Sequence, residues 1–308
     1  MKKITQSELD KILDENENWL ESREKVFETI GTPPDNINGY SSEWDQWHQE
    51  RLDNLRLGGV ELATLKDLDL SNLTFTKRNI RDAKILNVNL SSANLQETCL
   101  ALARTEWRDV DLRKADLTRV LLHDVKMENV NFSEAVLDEA EIHGLNGNNL
   151  TFDKAHMSNI GFAKAFVKNS SFDKTSLAQS NLRRTVFIGC SFKHCDLQET
   201  DLSFAKITNA DFRFADFTGA ICSAVKADVV RVFGAKGLEY LHQAKDKQID
   251  RYDVSEHADG TRLLDSFEMT FYLADPKTFD ELSFRANQKE VFSNEAAAKA
   301  AERVRKFF

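Results

Sequence analysis

The residues of this chain that could bind a metal or act as nucleophiles fall into two small groups. Cys190, His194 and Cys195 lie within six positions, and thiolate and imidazole are ligands that Zn²⁺ prefers. His123 and His143 stand 20 residues apart and could share a weak metal site if the chain stacked them. Whether either group does chemistry depends on the elements that position it.

A five-residue period sets those positions. Stepping by five from Leu102 to Cys222 gives 25 positions, and all except Gly147 are apolar. The same period runs from Leu70 to Leu95 in a different phase, so a seven-residue step separates Leu95 from Leu102. Such regularity indicates internal repeats.

Neither a helix nor a long strand explains this period. Helical steps of five advance by about 140°, and odd steps along a strand alternate faces, so the backbone must turn once per repeat. The residue two before each centre is often small, and the residue directly before it is commonly polar, as at Asp116 and Asp216. One large and one small inward side chain per unit predict a narrow, filled tube with three outward positions.

Three five-residue units show a motif with a known counterpart. Residues 93–97 read Ala-Asn-Leu-Gln-Glu, residues 115–119 read Ala-Asp-Leu-Thr-Arg, and residues 215–219 read Ala-Asp-Phe-Thr-Gly. They resemble the Ala-(Asp/Asn)-Leu-x-x motif of the pentapeptide-repeat family, over about residues 68–222. The resemblance implies an all-β solenoid, a right-handed quadrilateral β-helix with four units per coil and about eight coils.

A 20-residue coil predicts columns of stacked side chains. The core column is expected to contain Leu112, Phe132, Phe152, Phe172, Phe192 and Phe212. One corner column would contain Asn129, Asn149, Asn169, Gly189 and Asn209, residue types that tolerate the positive φ of a turn. Gly147 lacks a centre side chain, so we expect a distortion there, either a bulge or a kink that could serve as a docking notch.

The predicted columns also indicate whether the cysteines and histidines could bind a metal. Cys190 and Cys195 take inward positions while His194 faces outward, which favours buried packing over a zinc site. His123 and His143 should stack on one outer face but lack a third ligand. We therefore expect no catalytic residue, no metal and no cofactor, and hence no enzyme.

Both ends of the repeat differ from its middle. Residues 1–67 begin with a capping box at Thr5 and Glu8 and a helix extending to about Ser22, and we expect them to cap the first coil. Residues 223–308 lose the five-residue period and are expected to form a small, mainly helical domain, with a helical stretch around Leu238, Leu241 and His242. Further helix is expected after Asp275-Pro276 and over 294–308.

Charge limits the classes of partner. The chain has a net charge of −9, while residues 60–222 contain 22 acids and 20 bases. This balance argues against direct binding of nucleic acid and against attraction to an anionic membrane. With four scattered cysteines and no visible export signal, we expect a cytoplasmic protein, with delivery into another cell left open.

Three functions remain open. The first is a non-catalytic scaffold that binds an unknown protein; the second is a DNA-mimicking modulator of gyrase, as the resemblance to the quinolone-resistance branch suggests; the third is a secreted bacterial effector. Two copies could pair through an end domain. Phe166, Phe204 and Phe214 occupy outward positions, and we expect them to contact a partner or the C-terminal domain.

Overall fold

The computed structural model describes residues 1–30, 64–78, 84–100, 106–242, 244, 246–255 and 262–274. The helices are α1 (Gln6–Ile30), α2 (Leu238–His242) and α3 (Ser266–Ala274). The strands are β1 Lys2–Lys3, β2 Thr64–Lys66, β3 Leu68–Asp69, β4 Lys84–Asn89, β5 Glu106–Asp111, β6 Lys126–Asn131, β7 Asn146–Asn148, β8 Phe166–Lys168, β9 Val186–Ile188, β10 Lys206–Thr208, β11 Ala210–Asp211, β12 Lys226–Arg231, β13 Gln248–Asp253 and β14 Leu263–Leu264.

A ladder of parallel strands runs along the rod. From β5 to β10 each strand pairs with the next at an offset of 20 residues, as in the pairing of Val167 with Phe187. Isolated bridges repeat this offset elsewhere around the coil, for instance between Ser171 and Ser191. The chain is a β-solenoid of about nine turns, which confirms the predicted fold class.

Each coil has four faces, which we number by the centre residues that they contain. Face 1 carries the strands and centres such as Val167, and faces 2, 3 and 4 follow with Phe172, Leu177 and Leu182. These four side chains are at most 1% exposed. Face 4 leads into face 1 of the next coil, so these two faces share a corner. The corner between faces 2 and 3 lies diagonally opposite.

The backbone is left-handed at the corners. The second residue after a centre has positive φ on successive faces, as at Lys174 (62°), Gln179 (58°) and Arg184 (58°), although side chains with a β-carbon disfavour this region. The corner N–H still joins the ladder, since Lys174 N donates to the carbonyl of Lys193 at 2.8 Å. The predicted corner column obeys the same rule, with φ from 47° to 63° at Asn129, Asn149, Asn169, Gly189 and Asn209.

The Asp or Asn before a centre has a structural role. The Asp116 carboxylate accepts a hydrogen bond from the backbone N–H of Thr118 at 3.1 Å, and Asp216 accepts one from Thr218 at 3.0 Å. These side chain to backbone bonds stabilise the turn locally. Such carboxylates are therefore distributed by the repeat and do not gather into a catalytic pair.

Gly147 does not distort the rod, contrary to the sequence expectation of a bulge or kink. It lies within β7, which pairs in register with β6 and β8. Leu150 fills the space, because a β-carbon built on Gly147 would lie 2.5 Å from Leu150 Cδ1. The equivalent of Leu150 in the next coil is Ser170, so a large neighbour compensates for the missing centre.

The step between the two phases lies later than the sequence analysis placed it. Leu100 is 1% exposed and its N–H donates to the carbonyl of Leu121 at 2.9 Å, so the first phase continues one unit beyond Leu95. The extra two residues fall between Leu100 and Trp107, the next buried centre. Leu102, taken as the start of the second phase, lies outside the described residues.

The N-terminal segment caps the first coil. Thr5 and Glu8 form the predicted capping box, with Thr5 N donating to Glu8 Oε2 at 2.8 Å and Glu8 N donating to Thr5 Oγ1 at 3.2 Å. The Gln6 amide pairs with the backbone of Thr74, donating to its carbonyl and accepting from its N–H, both at 2.8 Å. Helix α1 continues to Ile30, beyond the predicted end near Ser22, while residues 31–63 lie outside the described part.

The ladder continues past Cys222, where the sequence analysis ended the repeat. β12 pairs with β10 and then with β13, in which Lys226 opposes Gln248. The period also persists, since Ala227 and Val232 follow Cys222 in steps of five and are 8% and 1% exposed. Residues 226–253 thus extend the rod and are not part of a separate helical unit. Helix α2 covers the predicted helical stretch, and residues 275–308, with their expected helices, lie outside the described part.

Candidate interaction surface

Aromatic side chains fill the inside of the described coils. Phe132, Phe152, Phe172, Phe192 and Phe212 stack with ring centroids 4.7 to 4.8 Å apart. Leu112 lies at the start of this column and is fully buried, as are the rings. The centre of the coil is therefore occupied by side chains and offers no substrate cavity along this column.

The thiols are buried within the same core. Cys190 is 2% exposed and Cys195 is 1% exposed, and both are free. Burial raises the pKa of Cys190 to about 11 and also raises the pKa of Cys195, so these thiols stay protonated and unreactive near neutral pH. His194 points away from them and stacks on Phe214 at 4.8 Å. The three residues do not converge on a metal.

The two stacked histidines are engaged by protein groups. His123 and His143 lie on neighbouring coils with ring centroids 5.5 Å apart. His143 Nε2 lies 2.6 Å from Glu141 Oε2, and its Nδ1 accepts a hydrogen bond from the N–H of Ala163 at 3.2 Å. Across the described ranges, no group of three or more His, Cys, Asp or Glu residues could hold a metal ion.

The three outward phenylalanines occupy three different settings. Phe166 is half-buried on face 1, with Lys168 Nζ 4.8 Å from its ring centroid. Phe204 is 48% exposed at the corner of faces 4 and 1, and the guanidinium groups of Arg183 and Arg184 lie 5.6 and 5.8 Å from its ring.

Phe214 is 43% exposed at the opposite corner, between faces 2 and 3. It contacts His194 from the preceding coil and Phe233 from the following coil, the latter at 5.6 Å. Gly234 makes room for the ring, since a β-carbon there would lie 2.5 Å from Phe214 Cδ1. The ring thus packs on the rod itself, including Phe233 of the stretch 223–308 that the sequence assigns to a C-terminal domain. Contact with a partner stays a prediction.

Sequence reasoning missed an uneven distribution of charge. Residues 106–141 contain ten acids and five bases, whereas residues 142–227 contain seven acids and ten bases. A single net charge for the whole repeat conceals this difference. Sorting the outward residues by face, with the 20-residue spacing, would reveal it from the sequence.

The imbalance is concentrated on faces 1 and 4. In residues 142–227 these faces carry one outward acid, Asp201, and a group of cations that we call the basic strip: Lys164, Lys168, Arg183, Arg184, Lys206 and Lys226. In residues 106–141 the same faces carry two bases and a group of carboxylates that we call the acidic strip: Glu106, Asp109, Asp124, Glu128 and Glu141.

A search of the described segments for membrane spans found no helix with the required length and apolar content.

Comparison with protein families gives one match. The model for pentapeptide repeats matches in eight copies, over residues 115–146, 168–203 and 195–226. A search of curated proteins found no match.

Solved structures with detectable similarity include pentapeptide-repeat proteins. HetL from the cyanobacterium Nostoc sp. strain PCC 7120, involved in heterocyst differentiation regulation, is 18% identical, with 69% of this chain and 98% of that chain covered and a TM-score of 0.28. QnrB1, a plasmid-mediated fluoroquinolone resistance protein, is 16% identical, with 61% and 90% covered and a TM-score of 0.22. A thylakoid lumen protein of Arabidopsis thaliana is 23% identical, with 41% and 74% covered and a TM-score of 0.19. Similarities this low do not argue for a shared function.

A side-chain-filled solenoid with a 20-residue register defines a β-helical repeat protein. The family match identifies the units over residues 115–146 and 168–226 as pentapeptide repeats.

Proposed function

We propose that this protein is a non-catalytic, rigid scaffold that binds another protein. The main support for this proposal is the position of Phe214, whose aromatic ring is 43% exposed on the outside of the rod. Its backbone is fixed at a left-handed corner with φ of 62°, and its ring packs between His194 and Phe233. Exposed aromatic rings are common anchors in protein interfaces.

Rigidity supports this proposal energetically. Binding restricts mobile side chains at a cost of roughly 0.5 to 1.5 kcal/mol each. Phe214 is already held by the neighbouring coils, so less of this cost remains when a partner binds. The filled core and the buried, protonated thiols supply no competing catalytic arrangement.

The DNA-mimicking alternative has less support. Imitation of a DNA duplex requires a continuous negative surface, whereas the basic strip places six cations along faces 1 and 4. QnrB1 is described as a fluoroquinolone resistance protein, but no observation here favours the same role. The secreted-effector alternative and cytoplasmic localisation stay predictions.

The experiment tests whether the Phe214 corner contacts a protein in cells. We would place the photo-crosslinking residue p-benzoylphenylalanine at Phe214 or, as a matched control, at Lys174, the same corner position two coils earlier. We expect one discrete crosslinked protein from position 214 and none from position 174. The purified partner should then bind Phe214→Ser at least tenfold more weakly than the unaltered chain. Absence of a specific crosslink, or unchanged affinity of Phe214→Ser, would contradict the proposal.

A further inference from the structure

One side of the rod carries opposite charges in two successive stretches, residues 106–141 and 142–227. The acidic and basic strips lie on the same faces, 1 and 4, and follow each other along the axis. From Glu106 to Lys226 they span six coil steps, roughly 29 Å at a strand spacing of about 4.8 Å.

The cations of the basic strip are mostly free of carboxylate partners. Arg183 pairs with Asp201 at 2.9 Å. Among the residues that the structure describes, no ion pair forms at the other five, which are Lys164, Lys168, Arg184, Lys206 and Lys226. The basic strip therefore presents uncompensated charge to whatever binds it.

In the acidic strip, Arg108 lies 2.7 Å from Glu106 and 3.4 Å from Glu128 and compensates part of the negative charge. Asp109 and Asp124 form no ion pair with the described residues.

Exposed apolar side chains are concentrated on the same side. Among the described residues, five large hydrophobic side chains are exposed, and three of them, Leu121 at 39%, Phe204 at 48% and Ile221 at 52%, lie on face 4 or its corner with face 1. The other two are Met1 at the N-terminus and Phe214 at the opposite corner. Apolar groups surrounded by charged ones are the usual composition of a protein interface. Phe166 extends this surface onto face 1.

We propose that this side of the rod binds a second copy of the chain in an antiparallel, two-fold dimer. Reversing one rod against the other, about an axis between the two strips, places each acidic strip over the nearer part of the partner's basic strip, from Lys164 to Arg184, on both sides of the axis at once. The interface is then self-complementary and closed, as a two-fold dimer requires. A parallel arrangement would instead bring like charges together.

The surface between the two strips allows close approach. Gly144, Asn146, Asn148, Gly161 and Ala163 lie there, together with the ring of His143, which packs on His123. Apart from this ring, the named residues in the middle of this side, where the two-fold axis would pass, are small or have short uncharged side chains. This arrangement differs from the pairing through an end domain that the sequence suggested.

Sedimentation velocity of the full chain tests the dimer, since exposed charges are screened at high salt. We expect dimers at 50 mM NaCl, no larger species, and at least tenfold weaker association at 500 mM NaCl. A chain that is monomeric at 100 μM and 50 mM NaCl would overturn the proposal, and so would species larger than a dimer.

Charge reversal followed by mixing identifies the surface. Lys164→Glu with Lys168→Glu and Arg184→Glu changes the net charge of the basic strip, counted with Asp201, from +5 to −1. Asp124→Lys with Glu128→Lys changes the net charge of the acidic strip, counted with its two bases, from −3 to +1. Each variant then has two strips of the same sign, so each variant alone should be monomeric. An equimolar mixture should restore a dimer, which a folding defect could not do. A mixture that stays monomeric, or a dimer that persists in either variant, would overturn the proposal.

The control reverses charge at equivalent corners on the opposite side of the rod. Lys154→Glu with Lys174→Glu lies between faces 2 and 3, where φ is 59° and 62°, close to the 61° and 58° of Lys164 and Arg184. This control should remain dimeric, and its dissociation would overturn the proposal. The partner in this inference is another copy of the chain, so a monomeric result would leave the proposed scaffold function untouched.

Discussion

Neighbouring inward side chains share a fixed volume in each coil. Phe187 is followed three positions later by Cys190, whereas Gly147 is followed by Leu150. The three side chains are buried and Leu150 occupies the space beside Gly147, so a change at one position of a pair must be matched at the other. Packing densities in protein interiors leave little space for an unmatched methyl group.

This pairing predicts that Gly147→Ala destabilises the rod by about 1 to 3 kcal/mol, because the new β-carbon would meet Leu150 Cδ1. The double variant Gly147→Val with Leu150→Ser reproduces the Val167 and Ser170 pair of the next coil. It should lose less stability than Leu150→Ser alone. Urea unfolding of the single and double variants measures the coupling, and purely additive losses would contradict the shared-volume interpretation.

Phe172 is the best position to test the aromatic column. Its ring stacks on Phe152 and Phe192, both at 4.8 Å, and meets Phe187 edge-on at 5.9 Å. We expect Phe172→Ala to cost about 3 to 5 kcal/mol, measured by urea unfolding. Phe172→Leu should cost clearly less, because it keeps much of the volume. Equal losses from both variants would show that ring stacking matters more than volume.

At the residue scale, the five-residue spacing predicted most of the inward-facing side chains but not the local exceptions to the repeat. Strict spacing predicted the Phe column and the inward cysteines, because a coil of constant length leaves a residue no other place. It failed at Gly147, since compensation by Leu150 comes from a neighbouring face. It also could not show that Phe214 packs on Phe233, because Phe233 lies in a later coil where the five-residue pattern is weak.

At the element scale, a small polar network inside the C-terminal cap joins three elements. His242 of α2 lies 3.4 Å from the hydroxyl of Tyr252 in β13 and 3.1 Å from Thr270 Oγ1 in α3. Burial and the nearby charge of Lys247 lower the pKa of His242 to about 4. The folded cap therefore holds this imidazole neutral.

This pKa predicts that the C-terminal cap loosens in acid. The unfolded chain takes up the proton near pH 6.5, so the stabilisation is complete above that pH and falls as pH drops toward about 4. Between these two pKa values, the free energy of opening the cap should fall by about 1.4 kcal/mol per pH unit for a single group. Hydrogen exchange of the β13 amides at pH 7 and pH 5 measures this free energy.

Substitution should remove most of that pH dependence. His242→Gln should exchange at similar free energies of opening at both pH values, whereas His156→Gln, on an exposed part of face 3, should behave like the unaltered chain. A pH dependence that survives His242→Gln would assign the effect to another group.

The sequence identified the N-terminal element better than the C-terminal coils. The capping box at Thr5 and Glu8 is a local signal and predicted the start of α1. Ala227 and Val232 continued the period, but the small side chain of Ala227 and the 22-residue offset between Lys226 and Gln248 weakened the pattern. A solenoid can tolerate extra residues at a corner, and a strict period cannot detect them.

At the scale of the whole molecule, the distribution of charge matters more than its total. A net charge of −9 suggests an acidic protein, yet one side of the rod has an acidic stretch followed by a basic stretch. We expect no inhibition of DNA supercoiling by gyrase and no protection against quinolones at 10 μM protein, because the basic strip would oppose a surface that binds DNA. Either effect in a supercoiling assay would contradict this prediction. A variant with Lys164→Glu and Arg184→Glu provides the informative comparison, since it removes part of that obstacle.

The constant coil length also limits which insertions and deletions the gene for this protein can accept without rearranging the surface of the rod. Duplication or loss of 60 nucleotides adds or removes one whole coil, and every downstream residue keeps its face. Duplication of 15 nucleotides would instead turn all later side chains by one face, moving the cations of the basic strip away from the acidic strip. The motif repeats every five residues, but the smallest segment that can be gained or lost without rearranging the surface is one complete coil of 20 residues.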